Sequence, residues 1–119
     1  MILRRGDVVL ANLPYSNQTG SKIRPALVVQ CDRNNDRLDD VILVMITSVI
    51  ARATAEPTQL FVEISAPEGQ SSGLLRDSAV KCEHLVTLDR SLIGRVIGQF
   101  PPGVMRKIDG CLRESLGLA

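Results

Sequence analysis

Apolar and polar positions along the chain fall into short runs broken by turn residues, with one change of period near the C-terminal end. Residues 7–13, Asp-Val-Val-Leu-Ala-Asn-Leu, are rich in β-branched and apolar side chains and are stopped by Pro14, which predicts a first strand. Residues 25–31 read as a second strand, and residues 32–37, Asp-Arg-Asn-Asn-Asp-Arg, as a solvated turn. The third strand, Val41-Ile42-Leu43-Val44-Met45-Ile46, is apolar at every position, which predicts burial on both faces and a central place in the sheet. Residues 59–64, 78–82, 85–88 and 95–99 supply further short strands, with Asp89-Arg90-Ser91 as a turn or a single helical turn. After Pro101-Pro102 the period lengthens. Val104, Met105, Ile108, Cys111, Leu112 and Leu116 recur near i, i+3/i+4, i+7, which predicts an amphipathic helix ended near Gly117. Many short strands and one terminal helix make the fold class mainly β (α+β), a small closed barrel in a single domain spanning residues 1–119.

Composition narrows the function classes. At 119 residues the chain suits one compact domain. Residues 41–51 form the longest uncharged apolar stretch, too short for the roughly 20 residues that a bilayer-spanning helix needs, and the first residues lack a signal-peptide pattern. A cytoplasmic protein without membrane contact is expected. Cys31, Cys82 and Cys111 are odd in number and widely spaced, so they are expected to be reduced core residues rather than a disulfide framework or zinc site. A net charge of +1 supplies no global field for an anionic polymer, so any RNA affinity must be local. Tyr15, Phe61 and Phe100 are the only aromatic residues, too few for a base-stacking platform, which counts against a simple RNA-binding module.

Two signals carry candidate chemistry: Arg24-Pro25-Ala26 opens the second strand and Thr47-Ser48 closes the third. A β-meander can bring both to one rim of the sheet, where a guanidinium matched to phosphate oxygens and a nearby hydroxyl suffice for work on a phosphodiester without metal. The polar segment 14–22 is long for a hairpin connection and feeds directly into Arg24, which marks it as a candidate functional loop. Lys22, Arg52, Arg76 and Lys81 can add phosphate contacts if the fold gathers them on one face. The blander readings are an Arg24 paired with a surface acid and a Thr47-Ser48 that caps its strand. Cys82-Glu83-His84 puts a thiol and an imidazole at i, i+2, but it lacks the remaining ligands of a metal site or the orienting group of a nucleophile.

These residues, in this order, resemble the MazF/PemK toxins, small metal-independent endoribonucleases of toxin–antitoxin systems. The resemblance runs through Arg5-Gly6-Asp7-Val8-Val9-Leu10-Ala11-Asn12-Leu13, Arg24-Pro25-Ala26-Leu27-Val28-Val29, Ile46-Thr47-Ser48, residues 57–64, Asp77-Ser78-Ala79-Val80, Leu88-Asp89-Arg90 and Ser115-Leu116-Gly117-Leu118. It implies an SH3-like barrel with a C-terminal helix, a homodimer, and no cofactor. It casts Arg24 and Thr47 as the catalytic pair and the loop as the substrate side, so Asn17, Gln18, Ser21 and Lys22 are expected to contact RNA; Ser48 and His84 are added as candidate RNA contacts of this chain. The implied reaction is attack by the ribose 2′-hydroxyl on the adjacent phosphorus of single-stranded RNA, leaving a cyclic phosphate and a free 5′-hydroxyl. A guanidinium stays protonated at pH 7, so Arg24 suits charge stabilisation and Thr47 hydrogen-bond donation. Glu83-His84 departs from the family's usual acidic residue followed by Gln, and an imidazole there can supply a proton if it reaches Arg24. A cognate antitoxin is the implied protein partner. Two other readings stay open: a poison of DNA gyrase built on the same barrel, and a regulatory domain without catalysis.

Overall fold

Most strands form near the predicted apolar runs, because alternate side chains can enter two separate cores, but β2 covers Ser21–Val28 rather than residues 25–31, so Arg24 lies within it. The computed structural model describes residues 1–14 and 21–119, with Pro14 and Ser21 described in backbone only. Strands β1 (Asp7–Pro14), β2 (Ser21–Val28), β3 (Asp40–Thr47), β4 (Gln59–Val62), β5 (Ser78–Asp89) and β6 (Ile93–Gln99) make one antiparallel sheet in the order β4-β5-β3-β2-β1-β6. Helix α1 (Asp32–Arg37) joins β2 to β3, α2 (Pro67–Ser71) lies between β4 and β5, and α3 (Pro102–Leu116) follows β6.

The unbroken apolar run of β3 has a simple cause. Val44 and Ile46 pack into a core with Val8, Leu27, Val80 and the buried stripe Val104, Met105, Ile108 and Cys111 of α3. Val41, Leu43 and Met45 point the other way, into a second core with Leu3, Val9, Ala26, Val28 and Ile93. One face of the curled sheet is thus covered by the helix, and the other by the curl of the sheet on itself. α3 ends as expected at Gly117, whose φ of +69° is left-handed and whose N–H bonds the carbonyl of Arg113.

The barrel that the strand pattern predicts is not closed by hydrogen bonds: β4 and β6 are the two edges of the sheet. The segment around α2 docks onto β6 instead. Ser71 Oγ donates to the Gln99 carbonyl at 2.9 Å. Gly73, at φ +74°, lies so close to β6 that a Cβ there would stand 2.1 Å from the Ile97 carbonyl oxygen. Edge protection therefore comes from glycine-mediated backbone packing rather than from another strand.

Three further local expectations are corrected. The predicted strands 78–82 and 85–88 are one strand: Met45 pairs with Lys81 and Val44 with Leu85, so Cys82, Glu83 and His84 form a bulge that interrupts the apolar alternation. The solvated turn 32–37 is the short helix α1, held by buried Asn35, whose Nδ2 donates to the Gln30 carbonyl at 2.9 Å and whose Oδ1 accepts from Gln30 Nε2 at 3.0 Å. Cys31 is exposed rather than a core residue, whereas Cys82 and Cys111 are buried.

Candidate active site

Arg24 stands near the start of β2, opposite Ala11 of β1, with its side chain exposed. On β2 and β3 the register pairs Ala26 with Met45 and Val28 with Leu43. The paired register ends at Ala26 and Met45, two residues short of Arg24 and Thr47.

A cleft of about 320 Å³ opens at Arg24. Leu10, Pro25, Ile46, Leu74 and Ile97 give it an apolar lining, Ser48 and Ser78 add hydroxyl-bearing residues, and Arg24, Arg76 and Arg95 bring positive charge. Leu10 pairs with Pro25 on one side and with Arg95 on the other, which fixes the row across β2, β1 and β6. Among the described residues no carboxylate lies within ion-pairing distance of these arginines. Asp77, next to Arg76 in sequence, is engaged elsewhere and accepts from the Ile64 N–H at 2.9 Å.

The sequence-derived site residues divide. Arg24 and Ser48 line the cleft. Thr47 is half-buried at the exit of β3 and is not in the cleft wall; its Oγ1 accepts from the Val49 N–H at 3.1 Å, the capping role expected of a Thr at a strand end. Lys22 is exposed on β2, across from Leu13, and does not line the cleft. His84 is exposed in the β5 bulge and likewise lies outside the wall. Asn17 and Gln18 lie outside the described residues, as does the side chain of Ser21. Of the cations named as conditional phosphate contacts, only Arg76 is brought to the cleft; Arg52 and Lys81 are not.

Arg95 escaped the sequence reading. It sits between Gly94 and Val96 in a short, weakly patterned strand, and only the pairing of β6 with β1 brings it beside Leu10. The Gly73-Leu74-Leu75-Arg76 wall was equally hidden, because its position depends on the docking of Gly73 against Ile97.

Acid–base groups outside the cleft have structural explanations. Burial pushes the Cys82 thiol up to about 12, helped by neighbouring Cys111 and Glu83, so it is a protonated core group at neutral pH and no nucleophile. Burial likewise raises Cys111. Partial burial pushes the Glu83 carboxyl up, but hydrogen bonds from Gln59 Nε2 at 2.7 Å and Thr58 Oγ1 at 3.1 Å outweigh it and leave the group below its ordinary value. Among the described residues, no cluster of three or more His, Cys, Asp or Glu is arranged to hold a metal ion.

Comparison with known proteins places this arrangement. The family model for the PemK-like, MazF-like toxin of type II toxin–antitoxin systems matches residues 4–116. The chain is 35% identical over 120 residues to a protein named Endoribonuclease MazF6 from Mycobacterium tuberculosis, with 99% of this chain and 100% of the relative covered. It is also 35% identical over 119 residues to Endoribonuclease EndoA of Bacillus subtilis, with 99% and 97% covered. Among solved structures, an endoribonuclease in complex with its cognate antitoxin from a mycobacterial species superposes with a TM-score of 0.79 at 26% identity, covering 98% of this chain and 97% of that one. The MazE–MazF structure from Deinococcus radiodurans shares the fold, with a TM-score of 0.75 at 23% identity over the whole of both chains. With the match extending from Arg4 to Leu116 and relatives aligned end to end, the chain belongs to the family of PemK-like, MazF-like toxins of type II toxin–antitoxin systems.

Proposed function

We propose that the protein is a toxin endoribonuclease that cuts single-stranded RNA at selected sequences through attack of the ribose 2′-hydroxyl, acting in the cytoplasm as a homodimeric single-domain protein held in check by a cognate antitoxin. The observation that carries this reading is a cleft lined by three arginines, Arg24, Arg76 and Arg95, none of which has a carboxylate partner among the described residues. Positive charge left unneutralised at an apolar-floored cleft fits an anionic ligand brought from outside. Family membership and the endoribonuclease names of relatives at 35% identity supply the reaction class.

Arg24 stabilises the dianionic phosphorane, which forms only as the 2′ oxygen attacks. Thr47 spends an oxygen lone pair on the Val49 N–H and keeps its hydroxyl proton to donate to a phosphate oxygen. The described cleft wall contains no carboxylate and no imidazole, so charge stabilisation and hydrogen-bond donation are the contributions assigned to this chain's described residues. Because a guanidinium supplies the positive charge, the reaction is proposed to run without metal. A structural relative was solved with its cognate antitoxin, which supports a protein partner here too, one that binds over the same cationic cleft through an acidic segment.

The test is incubation of the purified protein with a long RNA in EDTA, alongside Arg24→Ala, with mapping of the fragment ends. Discrete cuts with 5′-hydroxyl ends that vanish in the variant support the reading. RNA left intact across many sequences overturns it and returns the gyrase-binding and regulatory alternatives.

A further inference from the structure

A second cleft, of about 420 Å³, adjoins the first. The two share Leu10 and Arg95, so Arg95 stands in both walls. The β1–β6 register explains why: Arg95 is the cross-strand partner of Leu10, at the outer end of the row that begins with Pro25. Each volume lies at or near the small end of the range of about 300–1,000 Å³ for small-molecule pockets, the size of one nucleotide unit rather than of a longer stretch.

The linings differ in chemistry. The first cleft is floored by aliphatic side chains, and exposed Leu75 extends that apolar surface at its rim; its relative exposure of 90% is unusual for a leucine beside an apolar floor. The second carries Asn12 and Ser91 beside Ile23 and Leu92. Asn12 is exposed, and its side chain makes no hydrogen bond among the described residues. An amide of this kind can offer a paired donor and acceptor to the edge of a base, whereas aliphatic walls discriminate bases poorly.

We infer that the two clefts are adjacent nucleotide subsites of one RNA track, with Arg95 gripping the phosphate between them and Asn12 reading the base in the second cleft. This rests on the RNA-cleavage reading and adds the path of the strand and the residue that selects sequence. Arg95 is then a sequence-independent phosphate contact and Asn12 a base contact, and the two kinds of contact respond differently to salt and to sequence.

The experiment uses the full chain and two RNA probes: a random-sequence pool for end mapping, and an oligonucleotide with a 2′-deoxy sugar at the cut site for binding without turnover. For Arg95→Ala the magnitude of the slope of log affinity against log salt should fall by about 0.7, the value per phosphate contact on a single strand, with the cleavage sequence unchanged. For Asn12→Ala the slope should stay as in wild type, while preference at one position beside the cut relaxes roughly 5-fold or more, about the low end of what a bidentate base contact supplies. Arg33→Ala serves as the control for loss of one positive charge; Arg33 lies on α1, beyond the opposite end of β2 from Arg24, and its slope should match wild type. An unchanged slope for Arg95→Ala, or a cleavage sequence untouched in Asn12→Ala, overturns the inference. Loss of all cleavage in wild type instead overturns the parent reading, so the two failures are distinguishable. Matching thermal melts for the exposed variants separate both from misfolding.

Discussion

Two sets of arginines in this protein stand in contrast. Around α1 and the N-terminal segment, the guanidiniums of Arg4, Arg5, Arg37 and Arg90 are engaged. Arg4 pairs with Asp36 at 3.0 Å, Arg5 with Asp109 at 2.7 Å and, through Nε, with the Val29 carbonyl at 2.9 Å. Arg90 donates to the carbonyls of Met1, Asn35 and Leu38, tying the N-terminus, α1 and the turn before β6 together. In the other set, Arg24, Arg76 and Arg95 converge on a cleft without a carboxylate partner among the described residues. The same side chain is a structural clamp where the fold supplies acceptors and a ligand-facing charge where it does not. Residue type alone does not separate the two; the local supply of acceptors does.

The contrast can be broken by matched substitutions. The largest effect is expected for Arg24→Ala, a loss of about 10²–10³ in cleavage rate, as for other fixed donors to a developing anion, with a thermal melt close to wild type because the residue is exposed. Arg90→Ala should do the reverse. It leaves carbonyls without their charged donor and is expected to cost about 2 kcal/mol of stability in urea unfolding, with cleavage per folded molecule retained. If Arg90→Ala instead abolishes cleavage without loss of stability, the division of the arginines fails.

Gly73→Ala sharpens the comparison from the cleft side. A methyl group there meets the Ile97 carbonyl and strains a left-handed backbone, so a destabilisation of about 1–3 kcal/mol is expected, together with weakened RNA binding from a displaced Leu74–Arg76 wall. Arg4→Ala is the mild case. Its pair with Asp36 is exposed on both sides, and the expected change is below about 0.5 kcal/mol, at the margin of a careful denaturation measurement.

Between these groups lies a core that titrates rather than binds. The folded Cys82 thiol is raised from 9.0 to about 12 by burial, so the folded state holds its proton after the unfolded chain has lost its own. The stability this contributes is intact below pH 9 and is lost as pH rises from 9 towards about 12. Thermal melts across that window should show a decline that Cys82→Ala reduces, although the smaller side chain lowers stability at every pH. The carboxyls of Asp32, depressed chiefly by the Arg5 N–H, and of Asp89, depressed by Ser91, act in the opposite direction. Their contribution is present above the ordinary carboxylate range and is lost as pH falls through their lowered values.

By itself the sequence determined the elements whose cause is local. The continuous apolar run of β3, the lengthened period after Pro101-Pro102 and Gly117 ending α3 each act within a few residues, through burial preference or backbone geometry. Arg24 and Ser48 were legible as candidates because each adjoins a strong strand signal, and both line the cleft. Tertiary structure alone decided what depends on distant partners. The bulge at residues 82–84 follows from the pairing of β5 with both β3 and β4, the cover over the β6 edge from docking of Gly73, and the place of Arg95 from the pairing of β6 with β1. His84 and Lys22 looked eligible in the chain yet lie off the cleft, because strand register, and not nearness in sequence, sets which side chains share a wall.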